Sequence, residues 1–69
     1  MADLARRLLD AHARDDRTAL VALYEEAANG ANDLGAACFY LTHAWVFALD
    51  VGHSAADALH DRLYRLGRA

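Results

Sequence analysis

The sequence contains no proline, lysine, isoleucine or glutamine, and only four glycines and one cysteine among its 69 residues. What remains is rich in alanine, leucine, arginine and aspartate, a composition that favours helix and leaves few features suggesting strands. The lone Cys38 excludes an internal disulfide. No basic run followed by an apolar stretch and a small-residue cleavage site stands at the N-terminus, so a reducing, cytoplasmic location is the expectation. Without lysine, seven arginines face ten acidic residues and the formal charge is −3. No global field therefore draws the chain to nucleic acid or anionic lipid, and neither is expected as a partner. The length is about half the usual ~100 to 150 residues of a domain, which allows one small domain over 1–69 and excludes multi-domain enzymes. The 57% apolar content beside 25% charged residues places the chain among folded globular proteins.

Punctuation and periodicity predict four helices. The first runs over about 3–13, with Asp3 as cap, Leu4, Leu8 and Ala11 as the inner stripe, and an Asp3–Arg7 pair on the exposed face. Asp15 and Asp16 open the second, whose stripe is Leu20, Leu23, Tyr24 and Ala27 and which ends at Asn29 and Gly30, the glycine suiting a left-handed position. Asn32 and Asp33 precede a third segment, 34–49, that carries no charge and is apolar on nearly every side except at Thr42 and His43. It falls short of the ~20 apolar residues that cross a bilayer, so it is expected to be a central helix covered by protein rather than a membrane span. Gly52 stops it, Ser54 and Asp57 offer a weak capping box, and Ala55, Leu59, Leu63 and Leu66 line the last helix. The class is all-α, four helices in two antiparallel hairpins.

Leu9 and Asp10 recur as Leu49 and Asp50, and Leu23 and Tyr24 as Leu63 and Tyr64, an echo at a spacing of about 40 residues that fits one hairpin following another. From Phe39 to Gly67, small Ala44 and Ala48 on one helix, Gly52 at the turn and Ala58 on the next are set between large apolar residues. This stretch resembles a hairpin of the tetratricopeptide and Sel1-like repeat superfamily. The leading aromatic, the Leu-Gly pair and the closing proline of the tetratricopeptide pattern are out of register. The resemblance implies antiparallel helix pairs and a protein-binding role, and it brings no catalytic residues.

Candidate chemistry is sparse. His53, Asp57 and His60 stand at i, i+4 and i+7, so a fourth helix that starts early enough would present three metal ligands on one face. This is the alternative function, a small metal-binding regulatory protein. His60 and Asp61 form a dipeptide shared with metal phosphohydrolases of the HD type, a chemistry that needs ligands from several helices of a larger domain. His43 and Cys38 read as a hydrogen-bonded core histidine and a small hydrophobe. Arg62, Arg65 and Arg68 recur every three residues, but Asp57 and Asp61 beside them match ordinary charge placement at a helix end. No paired nucleophile and base suggests an enzyme, and no cofactor is implied.

Phe39, Tyr40, Trp45 and Phe47 are the most informative group: either all of them complete the monomer core, or one side meets a second chain, because a helix about 10–12 Å across cannot hide every face against three short neighbours. Below roughly 70–80 residues one core supplies about 3–5 kcal/mol, so association would add needed burial. The expected function is a non-enzymatic protein–protein interaction module, self-associating as a homodimer or docking on a larger assembly. Its candidate contact surface is Tyr40, His43, Trp45 and Phe47, with Tyr24 and Tyr64 as weaker candidates.

Overall fold

The computed structural model describes residues 3–67, and these form four α-helices with no strand among them. They are α1 (Leu4–Ala13), α2 (Arg17–Asn29), α3 (Leu34–Val51) and α4 (Ala56–Arg65). Each helix packs on its neighbours in the chain, and the most extensive of these interfaces joins α2 to α3. Cross-helix pairs mark the directions. Arg7 early in α1 meets Glu26 late in α2, and Arg17 opening α2 meets Asp50 near the end of α3, so both pairs of helices run antiparallel. The result is a slab of 31 × 29 × 12 Å, too thin for two full layers of helices whose axes pack 8–10 Å apart.

The core follows from helical spacing. On α3, Leu41, Ala44 and Ala48 are fully buried, and they meet Val21 and Ala28 of α2 and Leu59 and Leu63 of α4. The two alanines remove side-chain bulk where the helices approach, while leucines fill the space beside them. A second cluster joins Ala11 of α1 to Leu20 and Leu23 of α2. Because α2 lies between α1 and α3, it buries two faces, and Val21 and Ala28 join the stripe expected from Leu20, Leu23 and Ala27. No polar or charged side chain is buried among the described residues. At the echoed positions, Leu23 and Leu63 are both buried and Leu9 and Leu49 both exposed, whereas Tyr24 is half-buried and Tyr64 exposed.

Several local expectations are corrected. Asp33 and Asp16 do cap, accepting from the N–H of Ala36 at 2.8 Å and of Ala19 at 3.2 Å, but the Asp3 side chain caps nothing. Arg7 leaves Asp3 and forms a two-pronged pair with Glu26 at 3.0 and 3.2 Å, because a carboxylate on the facing helix fits the guanidinium fork. That hydrogen bond raises the Arg7 pKa above its ordinary value. Gly30 stays at φ −95, so α2 ends without a left-handed residue, while Gly52 takes φ 68 and closes α3 as expected. Asp15 occupies the left-handed region at φ 54 in the α1–α2 turn, where its carboxylate accepts from Arg17 Nε at 3.2 Å. Ser54 and Asp57 form no capping box. The α4 N-cap is Ala55, and the Nδ1 of His53 accepts from the Ala55 N–H at 2.9 Å.

The larger correction concerns α3, which is not covered on every side. Less than a quarter of it is buried, and its 18 residues are long and apolar enough to cross a membrane by length and composition alone. The neighbouring helices are too few, and too much in one layer, to wrap it.

Leu41→Ala is expected to cost about 2–5 kcal/mol through lost transfer energy and a cavity at the α2–α3–α4 junction. Leu49→Ala, on the open side of the same helix, is expected to stay within about 0.5 kcal/mol. Urea unfolding followed by far-ultraviolet circular dichroism separates the two, and equal losses would contradict the burial described.

Candidate functional site

Tyr24, at the middle of α2, organises the aromatic residues of the chain. Its ring stacks on His43 at 5.2 Å and on Phe47 at 5.9 Å, with Tyr40 at 6.2 Å, because 40, 43 and 47 fall on one side of α3. Its hydroxyl is 3.0 Å from His12 Nε2, which brings the end of α1 into the same cluster. His12 also meets Phe47 edge-on at 5.9 Å. Tyr40, Phe47 and Trp45 are half-buried and packed against the core, and Trp45 lies 5.0 Å from the His60 ring on α4. The candidate contact residues are therefore half-buried rather than the most exposed part of α3, with Tyr40, His43 and Phe47 beside Tyr24 of α2 and Trp45 beside His60 of α4. Tyr64, the weaker candidate on α4, is well exposed.

His43 links these residues to the outside. Its Nδ1 donates to the Phe39 carbonyl at 3.0 Å, a bond within the helix, and its ring lies 4.4 Å from that of Phe39. Phe39 is 58% exposed. With Val46 at 52% and Leu49 at 56%, it makes an open apolar stripe on the side of α3 turned away from Tyr24. Gly35 and Thr42 complete the stripe, so positions 35, 39, 42, 46 and 49 recur at alternating steps of four and three. A shallow depression of about 350 Å³ lies on it, lined by Gly35, Cys38, Phe39, Thr42 and His43. The depression exists because residue 35 has no side chain and residue 42 a short one. Aromatic content points to 40, 45 and 47, while the exposed stripe carries no mark of its own in the sequence, since the buried face at 41, 44 and 48 repeats at the same three- and four-residue steps.

The remaining candidates are dispersed. Because α4 begins at Ala56, His53 precedes the helix and does not share a helical face with Asp57 and His60. Its Nδ1 is used at the helix start, His60 lies against Trp45, and no group of three metal-ligating side chains occurs among the described residues. Cys38 is buried, and Thr42 Oγ donates to its carbonyl at 2.8 Å. Arg62 reaches back to Asn29 at 3.0 Å and towards Glu25 at 3.8 Å, and Arg65 pairs with Asp61 at 2.8 Å. Both are thus committed to carboxylates or amides of the chain, and Arg68 lies outside the described residues. Comparisons with protein-family models, curated proteins and solved structures return no match for the chain.

Tyr24→Phe deletes one hydroxyl from this cluster. It is expected to cost about 0.5–1.5 kcal/mol in urea unfolding, the net worth of one hydrogen bond. His60→Ala is expected to alter the fluorescence of Trp45, the single tryptophan, and to leave zinc retention of the unchelated protein unchanged. A loss of bound zinc would return His60 to the role of a ligand.

Proposed function

We propose that this chain is a small, non-enzymatic protein–protein interaction module of the cytoplasm that engages its partner through one face of α3 and needs no cofactor. The observation that carries this reading is the open stripe of Phe39, Val46 and Leu49 on a helix whose opposite side is fully packed. Exposed apolar side chains aligned along one rigid element are the ordinary raw material of an interface, and no charge interrupts this stripe. Tyr40, Trp45 and Phe47 pack against the core on the flanks of α3, and His43, in contact with Phe39, forms the edge of the contact surface. A rigid, preformed face reduces the ordering cost of association.

A protein partner fits this face better than a bilayer. Along its length α3 is packed against α2, which carries Arg17, Glu25 and Glu26, and Asp50 at the end of α3 is paired with Arg17. A span by α3 would take these charges into hydrocarbon with it. Nucleic acid is disfavoured by the net charge of −3 and by the internal pairing of Arg62 and Arg65.

Two double substitutions test the assignment. Phe39→Ser with Val46→Ser is expected to leave the unfolding free energy within about 1 kcal/mol, since both side chains are largely exposed, and to abolish association measured by native mass spectrometry of the complex purified from its own host. Tyr40→Ala with Phe47→Ala is expected to cost about 2–5 kcal/mol because it empties space beside the core. If the second pair removed association while leaving stability intact, and the first pair changed neither, the contact surface would belong to Tyr40 and Phe47.

A further inference from the structure

We infer that the partner of the α3 stripe is a second copy of this chain, packed antiparallel about a two-fold axis at Thr42. The inference rests on the interaction reading above and specifies its occupant. Its basis is that the stripe is complementary to its own reverse. When two α3 helices are laid antiparallel with Thr42 opposite Thr42, Phe39 faces Val46 of the second copy and Gly35 faces Leu49, each large residue meeting a smaller one. An isologous contact requires this reciprocity, since one patch must serve both subunits.

The depression on α3 supplies an independent argument. Its lining includes Gly35, Cys38, Phe39 and Thr42. These residues stand at i, i+3, i+4 and i+7, the four corners of the hole that receives one side chain in knobs-into-holes packing. In the antiparallel register the side chain that arrives over this hole is Val46 of the second copy. The reciprocal hole, formed by Thr42, Trp45, Val46 and Leu49, receives Phe39. The alternating four and three spacing keeps all five stripe positions on the seam, no charge lies between Leu34 and Leu49, and the one hydroxyl in the seam, Thr42, already donates to the Cys38 carbonyl. From Gly35 to Leu49 the seam is about 21 Å long at 1.5 Å per residue. A single helix pair of that length is a small contact beside the ~800 Å² per partner of a standard interface, so the dimer is sought up to millimolar protein.

Sedimentation equilibrium of the full chain at about 10 μM to 1 mM, the range an interface of this size calls for, is expected to show a reversible monomer–dimer equilibrium. Val46→Arg should raise the dissociation constant at least tenfold while circular dichroism stays unchanged. Register is read by disulfide trapping in a Cys38→Ala background. Thr42→Cys is expected to cross-link under mild oxidation, because each copy meets its own counterpart at the axis. Leu49→Cys is expected not to, since the two copies of residue 49 lie at opposite ends of the seam. Cross-linking through both positions, or through residue 49 alone, would overturn the antiparallel arrangement. A chain that stays monomeric throughout would overturn the second copy as partner. In that case the interaction reading survives only if Val46→Arg removes a defined complex with another protein from the host. Sedimentation of the wild-type chain with neutral phosphatidylcholine vesicles, abolished by Val46→Arg, would overturn both.

Discussion

The close approach of α2 and α3 is the constraint on which the rest of the structure depends. It is made possible by Ala28, Ala44 and Ala48, which let the helices come near, and it is consolidated by Val21 and the fully buried Leu41. Once α3 lies against α2, the remaining geometry has little freedom. Leu59 and Leu63 of α4 can reach the same cluster only after the chain has reversed at Gly52, and α1 reaches α2 only on its other side, through Ala11 against Leu20 and Leu23. Ion pairs follow the packing rather than direct it. Arg17–Asp50 and Arg7–Glu26 are largely solvated, and exposed pairs of this kind contribute little to stability.

Tyr24 turns that interface into a site. By stacking on His43 and Phe47 and meeting His12 through its hydroxyl, it connects α1, α2 and α3 in one aromatic cluster. Aromatic pairs in offset or edge-on geometry add about 0.5–1.5 kcal/mol beyond their buried area. The cluster covers the side of α3 that faces α2. The outer side keeps Phe39, Val46 and Leu49 in line and open to solvent.

The helices were legible in particular residues. Asp16 and Asp33 stand as caps where the sequence places them, Gly52 takes the left-handed turn, and Leu59 and Leu63 face inward at four-residue spacing. Where the local reading failed, a competing partner had intervened, distant in sequence for Arg7 and adjacent for Ser54. Arg7 had Asp3 four residues away but found a better-shaped acceptor in Glu26, and Ser54 lost the start of α4 to the ring of His53. The exposed side of α3 was harder. An apolar residue on a helix that is apolar nearly all round carries no local mark of whether it faces a neighbour, so Tyr40 and Phe39, adjacent in the chain, could not be told apart. The packing of Tyr24 decides between them, drawing Tyr40 inward and leaving Phe39 out.

By itself the sequence determined the all-α class, the number and approximate limits of the helices, and the excess of apolar surface on the third. These depend on local propensity, capping and periodicity, which act within a few turns of the chain. Only the tertiary structure decided which side of α3 is covered and that α2 buries two faces. It also decided that His53, Asp57 and His60 do not share a helical face. Those outcomes depend on where whole helices lie relative to one another, and that is set by shape complementarity among alanines, leucines and one tyrosine far apart in sequence.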